Sequence, residues 1–375
     1  MVKNKNIRII YGINSDGLGH ASRSSIVIDY LRKKGYKVYI ACGKNTKAEE
    51  FLKEKYRKIY TVNGLSLTYD NNEVRELHTL IDVVSKSSYS KENLKIYDSL
   101  INKIKPQLVI SDLEPFLLIS AKANEIPSIS IDHQSSIFRS DIEFSSEYLN
   151  DFLIMKIVSN FLCPYADIYM GLSFFKAKIT QRNTEIFNPI LREEIYKLKP
   201  KTENYILVYY RYGKIKDLTK KLNKFTAEKF IIFGYNENTT IGNCTFKKQS
   251  PQLLNYLANS KAVILNGGHN VICEAIYFKK PIYSIPVKHQ FEQITNAYYL
   301  EKLGYGKAFD DLNYNQFKLF LNNLDAYQNK LNTVKFKNKN IFFRKLEKNI
   351  KKLKRRKEKR IVFRIFDFLK DLIGK

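Results

Sequence analysis

Residues 262–306, AVILNGGHNVICEAIYFKKPIYSIPVKHQFEQITNAYYLEKLGYG, contain the pattern that decides the fold. An apolar run from Ala262 to Leu265 is followed by a glycine pair and by a helical pattern from Asn270 to Tyr277, and a second apolar run extends from Pro281 to Ile285. Short apolar runs separated by helical patterns are typical of a parallel sheet. This segment therefore predicts a strand, a glycine turn, a helix and another strand.

The same alternation occurs in both halves of the chain. Apolar runs that predict further strands extend from Ile7 to Tyr11, Val38 to Ala41, Leu108 to Ser111, Ser128 to Ile131, Tyr205 to Tyr210 and Phe230 to Phe233. We predict an α/β protein with two doubly wound, Rossmann-like domains that face a central cleft. The expected division is a first domain at 1–187, a linker at 188–203, a second domain at 204–340 and a basic helical tail at 341–375.

The glycine turn of the quoted segment predicts a phosphate site. Gly267 and Gly268 would expose backbone N–H groups at a helix start, where the helix dipole favours an anion, and His269 and Asn270 follow directly. Glu274 offers two acceptor oxygens that suit the paired hydroxyls of a ribose. Three polar residues after the next strand are candidates for binding a sugar: His289, Glu292 and Gln293.

A second glycine turn, GINSDGLGHASRS at 12–24, follows the first strand. It lacks the third glycine of the dinucleotide-binding fingerprint, so a purely structural strand-to-helix turn is one interpretation. A neutral imidazole near pH 7 can take a proton from a hydroxyl group, which makes His20 the candidate general base. Asp16, in the same turn, is a candidate for the acceptor side of the cleft.

Polar residues also follow two other strands of the first half. Asp112, Glu114 and His133 would lie at the same sheet edge as His20. Two carboxylates alone are weak grounds for a metal site, so we expect no bound metal. The acidic residues are expected to bind acceptor hydroxyls or to orient an imidazole, and solvated loop side chains remain the alternative.

These motifs resemble those of inverting, metal-independent GT-B glycosyltransferases, including the bacterial peptidoglycan-precursor N-acetylglucosaminyltransferase and the UDP-glycosyltransferase superfamily. The matching features are the spacing from Gly268 to Glu274, the Glu292-Gln293 pair and the loop that ends in His20. The resemblance implies a UDP-sugar co-substrate, no cofactor and a donor site in the second domain. Asn266 and Val271 depart from the plant-type pattern, which has His and Ser there, so phosphate binding is expected to use backbone N–H groups. Arg211, after a second-domain strand, is expected to help stabilise the departing diphosphate.

The charge of the chain leaves a second class of function open. A net charge of +27 would suit nucleic acid, although a composition rich in Lys and Asn and without Trp explains much of it. A nucleic-acid-binding protein would leave the Gly268-to-Glu274 spacing without purpose, so we favour the enzyme and expect no nucleic-acid partner. A nucleotide-sugar epimerase of the same fold is the alternative within enzymes.

The basic end of the chain predicts a membrane surface as a partner. Residues 351–375 contain eleven basic and three acidic residues, and apolar positions recur at helical spacing from Ile361 to Ile373. We expect this amphipathic helix to bind an anionic membrane surface or to pack on protein. The four cysteines form no CxxC pair and no long apolar stretch occurs, which favours a cytoplasmic protein on the inner face of the membrane. A lipid-linked or glycan acceptor is expected.

Overall fold

The computed structural model describes residues 7–64, 69–70, 73–74, 87–210, 213–336 and 338–373, with side chains at 7–64, 90–210, 213–336 and 338–356. Two seven-stranded sheets dominate it, which confirms the predicted α/β class. The strands of the first sheet are β1 (Arg8–Ile13), β2 (Lys37–Gly43), β3 (Ile59–Val62), β4 (Leu108–Asp112), β5 (Ser128–Asp132), β6 (Ile168–Leu172) and β7 (Thr184–Phe187). Their order in space is β7-β6-β5-β4-β1-β2-β3, and all are parallel.

Helices cover both faces of this sheet because its strands are apolar on both sides. The first-half helices are α1 (Leu18–Lys33), α2 (Lys47–Lys55), α3 (Ser87–Ile104), α4 (Pro115–Ala123), α5 (Gln134–Phe138) and α6 (Leu149–Leu162). In the register, Ile13 lies beside Asp112 and Asp132 lies beside Gly171, so polar strand ends meet at one edge. This edge faces the second sheet.

The second sheet repeats the arrangement. Its strands are β8 (Ile206–Tyr209), β9 (Phe230–Phe233), β10 (Thr239–Ile241), β11 (Cys244–Lys247), β12 (Ala262–Leu265), β13 (Ile282–Ser284) and β14 (Gly306–Ala308). The order is β10-β11-β9-β8-β12-β13-β14, parallel except for the β10–β11 pair. Its helices are α7 (Glu193–Lys197), α8 (Ile215–Leu222), α9 (Leu253–Asn259), α10 (His269–Tyr277), α11 (Phe291–Lys302), α12 (Tyr314–Asn322) and α13 (Leu324–Asn332).

An apolar cluster joins the two halves. Phe138 and Met155, which follow β5 in the chain, share one core with Phe291 of α11. The ring of Phe175 stacks on that of Tyr299, with 4.0 Å between centroids. Burial of apolar area across this contact favours a closed arrangement in which the two sheet edges face each other.

The last helix, α14 (Asn340–Ile373), returns to the first sheet. Five of its apolar side chains lie in the core that contains β1 and β2: Phe342, Phe343, Leu346, Ile350 and Leu353. The ring of Phe343 stacks on Tyr30 of α1 at 4.0 Å. Residues 342–353 therefore pack as part of the first domain, which differs from the expected separate tail beginning at 341. The amphipathic segment from Ile361 to Ile373 lies beyond the described side chains. Within the ranges that the structure describes, none of the helices combines the length and the apolar character needed to cross a membrane.

Candidate active site

A cleft of about 820 Å³ lies between the facing edges of the two sheets. Its walls include the glycine turn before α1 and the glycine turn before α10. Eight of the candidate residues line it: Asp16, His20, Gly268, His269, Asn270, Glu274, Glu292 and Gln293. The structure thus brings together residues from motifs that are about 250 positions apart in the chain, as expected for ligands at the carboxyl ends of parallel strands.

Helix α1 positions His20 at the first-domain wall. Gly17 has φ of 76°, a left-handed conformation that favours glycine, and the helix begins at the next residue. His20 therefore lies in the first turn of α1. Its Nδ1 is 2.8 Å from Oδ1 of Asp112, at the end of β4. A carboxylate on Nδ1 fixes the orientation of the ring and leaves Nε2 for proton transfer.

Asp112 is completely buried beneath His20 and also holds Arg23. Nε of Arg23 donates to Oδ2 of Asp112 at 2.9 Å, Nη2 donates to Oδ1 at 2.5 Å, and Ser24 donates to Oδ2 at 3.0 Å. Burial alone would raise the pKa of Asp112, but Arg23 and His20 outweigh it and lower the pKa to about 2. Asp112 is thus a charged group in contact with the imidazole of His20, and it does not line the cleft.

The glycine turn before α10 is fixed by hydrogen bonds and close packing with Gln293 of α11. The side-chain oxygen of Gln293 accepts from the N–H groups of Gly267, at 2.9 Å, and of Val287, at 3.1 Å. An added Cβ at Gly267 would lie 2.5 Å from the backbone oxygen of Gln293, so only glycine fits there. Gly268 is the N-cap residue of α10. The start of a helix therefore opens into the cleft, which is a site suited to an anion.

Glu274 reaches the cleft from α10 together with an arginine that the sequence did not single out. Nε and Nη2 of Arg192 donate to the two carboxylate oxygens of Glu274 at 2.8 and 2.9 Å. Burial raises the pKa of Glu274, and Arg192 opposes that shift. The bidentate pair fixes the carboxylate while each oxygen keeps a second lone pair for a ligand.

Three of the hydrogen bonds between the two domains lie at the cleft or directly behind it. Nδ2 of Asn270 donates to the backbone oxygen of Gly19 at 2.9 Å, and Nε2 of Gln134 donates to a carboxylate oxygen of Glu292 at 2.5 Å. The third joins His133 to Asn296 at 2.8 Å. His133 also stacks on His269, with 3.8 Å between ring centroids. Burial lowers the pKa of both imidazoles, most strongly that of His269, so the stack is neutral near pH 7.

Of the candidates that the structure describes, five do not line the cleft: Asp112, Glu114, His133, Gly267 and His289. His133 is buried between the domains, away from the expected acceptor side. Glu114 lies beside Tyr97 of α3, because the backbone turns after Asp112 and directs the Glu114 side chain into the first-domain core. Burial there raises the pKa of Glu114 to about 8. His289 is largely exposed and contacts Asp151 at 3.0 Å instead of lining the cleft. Arg211 lies outside the described residues.

Sequence reasoning missed Arg23, Arg192 and Asn296. Arg23 is three positions after His20, so helical spacing already placed the two on one face. No local signal identifies Arg192, because its partner Glu274 is 82 positions away. The role of Asn296 depends in the same way on the packing of two distant segments.

The fold defines the class of the protein. The structure of the glycosyltransferase VinC in complex with dTDP superposes with a TM-score of 0.61 at 13% identity, over 93% of this chain and 100% of that one. MurG of Acinetobacter baumannii superposes with a TM-score of 0.55 at 13% identity, over 86% of this chain and 93% of that one. The two facing Rossmann-like sheets are thus those of the GT-B fold, as the sequence predicted.

The sequence comparisons identify the family. Residues 7–325 match the family model of glycosyl transferase family 1. An uncharacterized glycosyltransferase of Methanosarcina mazei is 23% identical over 328 residues, which cover 80% of this chain and 85% of that protein. Another, from Methanosarcina acetivorans, is 46% identical over 52 residues, only 14% of either chain. The chain belongs to glycosyl transferase family 1 and is a glycosyltransferase.

Proposed function

We propose that the protein transfers a sugar from a nucleotide-diphosphate sugar, with a UDP-sugar as the first candidate, to a hydroxyl group of an acceptor, with inversion at the anomeric carbon. The observation that carries this proposal is the pairing of two walls across one cleft. One wall bears His20, whose ring contacts buried Asp112. The other bears a glycine turn at a helix start, with Glu274 six residues after Gly268 in that helix. The VinC neighbour was solved in complex with dTDP, which supports a nucleotide as a ligand.

The proposed reaction uses His20 as general base. Nε2 takes the proton of the acceptor hydroxyl while its oxygen attacks the anomeric carbon, and the nucleoside diphosphate leaves with the electron pair of the broken C–O bond. Attack from the face opposite the leaving group inverts the configuration. Asp112 stabilises the imidazolium that forms, and the N-terminus of α10 stabilises the charge on the diphosphate. We assign no metal or cofactor to the reaction.

An amphiphilic, lipid-linked acceptor suits the apolar part of the cleft. Helix α6 contributes four apolar side chains to the cleft wall: Met155, Val158, Phe161 and Leu162. The same helix exposes Leu149, Leu153 and Ile157 at a spacing of four residues on its outer side. A sugar-only acceptor would gain little from such a wall, whereas burying an aliphatic chain there is favourable. We infer an acceptor whose hydroxyl lies near His20 and whose apolar part lies along α6.

A donor screen tests the proposal. UDP-, GDP- and dTDP-sugars would be offered with polyprenyl-phosphate-linked and glycan acceptors, and release of nucleoside diphosphate would be measured. We expect release with UDP-sugars only when an acceptor is present. Conversion of the donor sugar without acceptor would favour an epimerase, and salt-dependent binding of nucleic acid without binding of any nucleotide sugar would contradict the enzyme.

Replacing Glu274 tests the ribose contact. Glu274→Ala removes the two acceptor oxygens, and we expect about a tenfold to hundredfold weaker affinity for the nucleoside diphosphate, measured by calorimetry. Glu228→Ala is the matched control, because Glu228 is also partly buried and paired with a lysine, Lys261, but lies outside the cleft wall. Equal affinity in wild type and Glu274→Ala would remove the assignment.

The basic end of the chain is proposed to bind an anionic membrane surface. About 1 kcal/mol per basic residue near such a surface, together with an apolar helical face, is sufficient for peripheral attachment. We expect the full chain to float with vesicles that contain anionic lipid. A chain ending at Arg356 lacks six of the eleven basic residues of 351–375 and all apolar positions from Ile361 to Ile373, so we expect it to float much less. That end point retains Leu353, the last core side chain among those of α14 that the structure describes, so the fold should remain. Equal flotation of the two chains would count against the anchor.

A further inference from the structure

Asn296 of α11 is completely buried and bridges the two domains. Its Oδ1 lies 2.8 Å from Nε2 of His133, which follows β5 in the first domain. Its Nδ2 donates to the backbone oxygen of Gly267 at 2.9 Å. One side chain thus contacts both a first-domain imidazole and the first glycine of the turn before α10.

The two ends of this bridge are themselves fixed. Nδ1 of His133 lies 2.7 Å from the backbone oxygen of Leu172, at the end of β6, and 3.1 Å from Oγ of Ser136. Because Oδ1 of Asn296 can only accept, the neutral ring carries its proton on Nε2, and Nδ1 accepts from the hydroxyl of Ser136. On the other side, the N–H of Gly267 is held by Gln293. A continuous series of hydrogen bonds therefore runs from Ser136 through His133 and Asn296 to Gly267.

We propose that His133 and Asn296 form an interdomain clamp that positions the glycine turn for the diphosphate only while the first domain is closed against it. The clamp consists of these two side chains and the backbone oxygen of Gly267, and its members are positioning residues. The inference rests on the proposed function, because it assigns the turn at Gly267 to the donor.

Burial makes the clamp stronger than its two hydrogen bonds would be in water. Removing one partner leaves a buried polar group without a hydrogen bond, and the unsatisfied group is costly. The contact from Asn270 to Gly19 acts in the same direction, since it ties the next residues of the turn to the loop that bears His20. A displacement of the turn of about 1 Å would misalign the donor with His20 and slow the reaction about a hundredfold at most.

The contact across the domains also explains why His133 is not at the cleft wall although it follows a first-domain strand. Its ring is enclosed by Phe175, at 6.1 Å between centroids, and by His269, at 3.8 Å. Such a ring cannot reach the acceptor substrate. It can, however, fix the position of the second domain relative to the end of β6. This places His133 in the donor half of the reaction, whereas its position in the sequence indicated the acceptor half.

Kinetics of four variants test the clamp: Asn296→Ala, His133→Ala, the double variant and His133→Gln. We expect kcat/KM for the donor to fall about tenfold or more in each alanine variant, with the KM for the acceptor within about twofold of wild type. Because the two residues act as a unit, the double variant should be no worse than the poorer single variant. Glutamine at 133 keeps an N–H donor and should restore part of the loss.

Asn93→Ala is the matched control. Asn93 is also completely buried, exchanges two hydrogen bonds with the backbone of Asn63, and lies away from the cleft wall. It should lower the melting temperature by a similar amount to Asn296→Ala without changing the donor kinetics.

Two results would overturn the clamp. One is donor kinetics for Asn296→Ala that match those of Asn93→Ala, and the other is additive effects of the two alanine substitutions. If alanine at 296 prevents folding, His133→Gln and His133→Ala decide the question by the same donor kinetics. Wild-type protein that binds no nucleoside diphosphate would instead contradict the proposed function.

Discussion

His20→Ala is expected to lower kcat about 10²- to 10⁴-fold, the range that a positioned general base contributes. The physical reason is that Asp112 holds Nδ1 of His20, so that loss of the ring removes both the proton acceptor and the ion pair that stabilises its charged form. Steady-state release of nucleoside diphosphate with saturating donor and acceptor measures the effect. The acceptor KM should change far less than kcat, because the base acts mainly in the transition state.

Binding and stability of the same variant are the controls for His20→Ala. The helix start at Gly268 and the carboxylate of Glu274 remain, so nucleoside diphosphate affinity should stay within about twofold of wild type. His20→Gln offers a hydrogen-bonding side chain without a base and should be nearly as slow as the alanine variant. Turnover close to that of wild type in either variant would remove His20 from the mechanism.

Much of the fold and half of the site were accessible from local patterns. Apolar runs of four to six residues predicted strands because both faces of these strands are covered by helices, and the structure places β12 at Ala262–Leu265, as predicted. The glycine turns were recognisable because a tight turn before a helix requires glycine locally. Candidate residues directly after strands could then be expected in one cleft, since the carboxyl ends of parallel strands share an edge.

Side-chain direction beyond a strand end was not accessible from the sequence. Asp112 and Glu114 are two positions apart and equally acidic, yet one supports His20 and the other lies in the core beside Tyr97. The difference comes from Leu113, whose φ of 54° turns the backbone between them. A non-glycine residue in this conformation is uncommon, and no pattern of residue types signals it.

Side-chain contacts between segments that are distant in the sequence could not be predicted either. Arg192 meets Glu274 only because the linker passes over α10, and Asn296 meets His133 only because the two sheets face each other. For α14, helical periodicity was recognised only from Ile361 to Ile373, whereas the segment that packs on Tyr30 lies before it, at 342–353. Which face of α14 is buried depends on the surface of the first domain against which the helix packs.

Asp112→Ala is expected to lower the free energy of unfolding by about 3–5 kcal/mol, the cost of breaking a buried ion pair from one side. Arg23 is 5% exposed, and without Asp112 its charge would be buried with neither carboxylate oxygen to accept its two hydrogen bonds. Denaturant unfolding at pH 7 measures the loss. Asp311→Ala is the control, because Asp311 pairs with Lys221 at a largely exposed site and should contribute less than about 1 kcal/mol.

The pH dependence separates this ion pair from a simple packing effect. The pKa of Asp112 is lowered to about 2 in the folded protein, below its ordinary value near 4, so its stabilisation is complete above that ordinary value and is lost as pH falls through the folded pKa. The difference in unfolding free energy between wild type and Asp112→Ala should therefore shrink as the pH is lowered from about 4 toward 2. Because a packing defect would not depend on protonation, a difference that stays constant over this range would show that the carboxylate does not hold Arg23 by charge.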